Sequence, residues 1–152
     1  MKMKTTKTII TALLLLFSIS SFAQTKEETI AWIKEKLEKY GGGEDTSFIN
    51  VQVSPCSISF TQTDDGVGAY YYSFNPSLVK QWNLLSSAVV ERKLVGIIAM
   101  ADVIRVKSDE SKEEYWSSLI RIRNGESDIH ERMIKALLHL ATFCEEGKNE
   151  AF

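Results

Sequence analysis

Ser127-Asp128-Ile129-His130-Glu131 opens a stretch that runs through Leu137-Leu138-His139-Leu140 and closes on Cys144-Glu145-Glu146-Gly147. On a 3.6-residue wheel, Ile129, Met133, Ala136, Leu137, Leu140, Phe143 and Cys144 share one side, and Ile134, Leu138 and Ala141 widen it. Asp128 followed three residues later by Glu131 has the form of a capping box, with Ser127 as a competing cap, and Gly147 supplies a left-handed stop. The spacing therefore predicts a strong amphipathic helix. Its apolar face is too wide to leave in water, so the residues upstream must build a surface for it to close.

Working back from that helix, the period of the hydrophobic pattern is 2. Trp116, Ser118, Ile120 and Ile122 alternate with Ser117, Leu119, Arg121 and Arg123, which predicts a final strand before the Asn124-Gly125 turn. Ser108 to Glu114 is charged and reads as a surface loop. The β-branched run Val95 to Lys107 is either one strand buried on both faces or two strands joined near Ala101-Asp102. Val89-Val90 is a candidate short strand. Asn75-Pro76 caps a short helical turn extending to about Leu84, with Leu78, Val79 and Trp82 facing inward.

Further upstream, three alternating segments form a meander. Ile49, Val51 and Val53 define the first, broken by Ser54-Pro55. Cys56, Ile58 and Phe60 define the second, and Tyr70, Tyr72 and Phe74 the third. Asp64-Asp65-Gly66 is the hairpin signal between the last two. A further helix opens with a Thr25/Glu28 capping box, carries Ile30, Ile33, Leu37 and Tyr40 as its stripe, and stops at Gly41-Gly42-Gly43. The predicted fold class is α+β: an N-terminal helix, a curved antiparallel sheet or small open barrel of about six strands, and the C-terminal amphipathic helix as its cap.

The first 23 of the 152 residues read as a secretory signal peptide. Lys2, Lys4 and Lys7 form its basic start, Leu13-Leu14-Leu15-Leu16-Phe17 its apolar centre, and Ser21-Phe22-Ala23 a small-residue cleavage site before Gln24. The apolar run is short for a membrane span, and no second candidate follows. Residues 24–152 are then one domain, exported to the periplasm or outside the cell. Taking three lysines from 18 basic residues leaves 15 against 20 acidic ones, a net charge of about −5. Such a domain has no electrostatic reason to hold nucleic acid or anionic lipid. In an oxidising compartment Cys56 and Cys144 are candidates for a disulfide tying the last helix to the front of the sheet. The alternative is two buried free thiols packing as small hydrophobes.

Little in the chain points to chemistry. His130 and His139 lie on opposite sides of their helix, so they share no metal there, and neither belongs to an HExxH pattern. A packed His130 and a solvated His139 are expected. Asp64-Asp65-Gly66 lacks the remaining positions of a calcium loop. Asp102, inside an apolar run, is explained by a solvated link or by pairing with Arg121 or Arg123. No catalytic, metal or cofactor residue is assigned, and no cofactor is expected.

The residues Cys56-Ser57-Ile58-Ser59-Phe60, Phe74-Asn75-Pro76-Ser77-Leu78 and Lys135-Ala136-Leu137-Leu138-His139-Leu140 with Cys144 give a layout that resembles pleckstrin-homology-like domains, and small exported bacterial proteins built on that plan. The N-terminal helix is extra to the plan. Ser54-Pro55 stands where phosphoinositide-binding members carry a basic loop, so the resemblance implies a fold without phosphoinositide binding. The expected function is a non-enzymatic protein- or peptide-binding module, with Tyr71 and Trp32 as candidate contact residues. The alternative is a carrier of a small apolar ligand between the sheet and the last helix.

Overall fold

The computed structural model describes residues 25–64, 67–85 and 96–146. The expected leader (residues 1–23), Asp65-Gly66, Val89-Val90 and Gly147 lie outside these.

Helix α1 (Lys26–Tyr40) starts at the expected capping box. Thr25 Oγ1 accepts the Glu28 N–H at 3.2 Å, and the Glu28 carboxylate accepts the Thr25 N–H at 2.9 Å. Ile33 and Leu37 are fully buried, while Ile30 and Tyr40 pack from the rim. The stop is local chemistry. Gly41 lies against the Phe48 ring, where a Cβ would collide, and Gly42 adopts φ 102°, open to glycine but strained for other residues.

Strands β1 (Thr46–Ser54), β2 (Ser57–Asp64), β3 (Val67–Phe74), β6 (Ile104–Ser108) and β7 (Glu114–Ser117) form one antiparallel sheet in the order β1-β2-β3-β6-β7. Strands β4 (Trp82–Leu85), β5 (Gly96–Ala99) and β8 (Leu119–Arg121) form a second, in the order β4-β5-β8. Among the described residues neither sheet closes into a barrel. The α+β architecture stands, with eight described strands where about six were expected: two apolar runs each divide, and Trp82–Leu85, expected within a helical turn, is a strand. The run 96–108 breaks at Met100–Val103, leaving Asp102 exposed in the link. The run 116–123, expected as one strand, breaks at Ser118: its carbonyl accepts the Ala99 N–H at 2.8 Å, and the chain passes from one sheet to the other.

The turn at Asn75 is shorter than expected. Asn75 Oδ1 caps a single 3-10 turn, Pro76–Leu78, after which the chain extends into β4 because Trp82 pairs with Ala99. Val79 and Trp82 face inward as expected, whereas Leu78 is 63% exposed.

Helix α2 (Ile129–Glu146) buries Ile129, Met133, Ala136, Leu137, Leu140 and Cys144 against the 3-10 turn, β4, β5 and α1. Its start differs from the expected box. Asp128 has φ 60°, a left-handed conformation that Asp tolerates, and its carbonyl accepts the Arg132 N–H at 2.9 Å. No described helix is long and apolar enough to cross a membrane.

Candidate functional site

Because strand side chains alternate, the five-stranded sheet has two unlike faces. The inner one carries Phe48, Val51, Ile58, Phe60, Ile104 and Val106, all buried. Phe60 stacks between Phe48 (ring centroids 4.0 Å) and Tyr72 (4.9 Å). Burial pushes the Tyr72 phenol up to about 12.

The outer face is polar and open. The register places Ile49, Thr61, Tyr71 and Lys107 side by side across β1, β2, β3 and β6, with Ser59, Ser73, Arg105 and Trp116 forming the adjacent row out to β7. Asn50, Ser59, Thr61, Tyr71, Ser73, Arg105 and Lys107 line a shallow groove of about 360 Å³ on this face, and Thr61 at its floor is 7% exposed. Tyr71 is 45% exposed and Trp116 60%.

One feature of β1 shapes this face. Between the Ile49↔Thr61 and Gln52↔Ser59 pairs, Asn50 and Val51 stand opposite the single residue Phe60, and Asn50 takes φ 53°. This bulge reverses the parity of the strand. Ile49, expected inward with Val51 and Val53, therefore points outward at 44% exposure, and Phe48 takes the inward place.

The face already holds one carboxylate. Glu114 receives Arg105 Nε and Nη2, each at 2.7 Å, in a two-bonded fork. These hydrogen bonds hold the Glu114 carboxyl below its usual range and raise the Arg105 guanidinium. Lys107 lies directly across from Glu114 and its charge helps hold that carboxyl down, but it forms no ion pair within 4.0 Å among the described residues.

The other sequence-derived candidates fall elsewhere. Trp32 is half-buried on α1, packed on the core with the Arg132 guanidinium 5.1 Å from its ring centre, so it does not join Tyr71. Cys56 and Cys144 are bonded, with sulphurs 2.05 Å apart and Cα atoms 4.9 Å apart. Cys56 is not in β2: Pro55-Cys56 is the two-residue turn between the paired Ser54 and Ser57. From there it is exposed and reaches the buried Cys144 at the end of α2. His130 Nε2 donates to the Ile122 carbonyl at 2.7 Å, a packing role, and His139 lies edge-on to Phe143.

A separate charged clasp joins the helices. Lys36 Nζ, almost buried, bonds Glu126 at 2.9 Å, and Glu126 also accepts from Tyr40 (3.0 Å) and Arg132 (3.2 Å). Lys36 and then Tyr40 hold the Glu126 carboxyl below its usual range. Among the described residues no group of three or more His, Cys, Asp or Glu is placed to hold a metal ion.

Trp116, Arg105 and Lys107 were not singled out by the sequence reading. Alternation along β6 was the available signal for the two cations, while the sheet change at Ser118 hid the outward turn of Trp116. No family model, curated protein or solved structure matches the chain. The outer face presents two exposed aromatic rings, a row of hydroxyls, a held carboxylate and an ammonium without an ion pair among the described residues.

Proposed function

We propose that this chain is a non-enzymatic protein- or peptide-binding module whose docking surface is the outer face of the five-stranded sheet. The observation that carries this reading is an exposed Tyr71 lining a polar groove, with an exposed Trp116 opposite Arg105 on the same face, which no described helix covers. Exposed Tyr and Trp are the residues that binding surfaces favour, because they bring large contact area with little conformational entropy to lose. Export is part of the same proposal, supported by a disulfide compatible with an oxidising compartment. So is the pleckstrin-homology-like layout, supported by antiparallel sheets packed with a C-terminal amphipathic helix. A carrier of an apolar ligand has less support, since Ile129, Met133, Leu137 and Leu140 fill the space beneath α2 with at most 1% exposure.

The test compares wild-type protein with a Tyr71→Ser/Trp116→Ser double variant as immobilised bait for envelope and secreted proteins of the native host. A partner retained by the wild type and lost by an equally stable double variant is expected. Equal recovery on both would remove the outer face from the proposal.

A further inference from the structure

We infer that the outer-face groove accepts a carboxylate from an acidic, extended partner segment, with Lys107 as its charge anchor and Tyr71 as the wall it packs against. This inference rests on the docking reading above and names the class of partner.

Among the described residues, Arg105 and Lys107 are the only charged ones lining the groove, in a chain whose net charge is −2. A local cationic site on an acidic protein selects an anionic partner and repels a cationic one.

Glu114 shows how this face takes a planar anion. Both its oxygens are engaged by Arg105. That pairing occupies Arg105 and both Glu114 oxygens, so Lys107 acts on Glu114 only through its charge and forms no ion pair within 4.0 Å among the described residues.

Lys107 lies directly opposite Tyr71, and Tyr71 opposite Thr61. An acid reaching the Lys107 ammonium therefore lies along the Tyr71 ring, with the Thr61 and Ser73 hydroxyls close by as donors. An extended segment suits this layout, since it offers a side chain to the same face at every second residue.

The experiment is an amide-resolved NMR titration of the naturally processed protein with three peptides of equal length, alternating Glu–Thr, Gln–Thr and Lys–Thr, and with polygalacturonate. The Glu–Thr peptide is expected to shift the amides of Thr61, Tyr71 and Lys107. It should bind roughly two- to fivefold more tightly than the Gln–Thr peptide, the scale of one exposed ion pair. Lys107→Gln should abolish that difference and Lys107→Arg should keep it, with thermal melts showing both variants folded. Equal binding of the Glu–Thr and Gln–Thr peptides at these amides, indifferent to Lys107→Gln, would overturn the carboxylate inference and leave the docking face standing. Shifts at these amides from polygalacturonate alone would overturn the peptide reading together with the inference. An outer face silent to every probe would do the same.

Discussion

The two faces of β2, β3 and β6 are made by alternate residues of the same strands, yet they have nothing else in common. Ile58, Phe60, Ile104 and Val106 point one way and are buried; Ser59, Tyr71, Arg105 and Lys107 point the other and line an open groove. Backbone conformation does not distinguish them. What does is cover: α1 packs along β1 and helps close the inner face, and its Ile33 and Leu37 belong to the same core as Phe48. The lesson is that a period of 2 divides labour within a strand. The inner residues set stability, and the outer ones are free to set recognition.

The sharpest way to break that division is to cut into the inner face. Phe60 lies between two rings, so Phe60→Ala removes its own burial and both stacking contacts and leaves a cavity. We expect a loss of about 3–5 kcal/mol in denaturant unfolding. A cost below about 1 kcal/mol, well under what core truncations show, would mean the inner face is not the structural one.

A somewhat smaller effect is expected at the disulfide, which belongs to neither face. It joins the β1–β2 turn to the last turn of α2 across 88 residues, and so restricts the unfolded chain. Replacing both cysteines by serine should lower stability by roughly 2–5 kcal/mol. The outer-face amides should keep their chemical shifts, because the bridge lies at the turn and not beside the groove. A reduced protein that melts with the oxidised one would show that the bridge contributes no stability.

Much of this division was legible in the sequence. The wheel of Ile129 to Cys144, the cap at Thr25 and the alternation through β2 and β3 each state a local preference that packing obeys. The sequence reading failed where one residue changes the parity. An unpaired Asn50 turns Ile49 outward, and a break at Ser118 sends Trp116 to the groove side while Ile120 stays in the core. Neither device carries a Gly or Pro to announce it. Each is fixed by pairing with distant residues, Phe60 in one case and Ala99 in the other, which a local pattern does not contain. The candidate site was legible only as Tyr71, because Trp32, the other large aromatic singled out, was needed by the core beneath α1.

The smallest expected effect tests the comparison most directly. Tyr71 and Tyr72 are neighbours in one strand and differ by a single step of the pleat. Tyr72 stacks on Phe60, while Tyr71 stands half in water beside the groove. If recognition is the work of the outer face, Tyr71→Ser should change unfolding free energy by no more than about 0.5 kcal/mol, the range for surface positions without special contacts. Thr61 complicates this, since it is buried although it faces outward, and Tyr71 and Ile49 are what flank it. Removing the ring therefore exposes a threonine that is already polar and uncovers little apolar core. A measured loss near 2 kcal/mol would mean that the Tyr71 ring is a roof over structure, and the outer face would then lose its claim to be free for a partner.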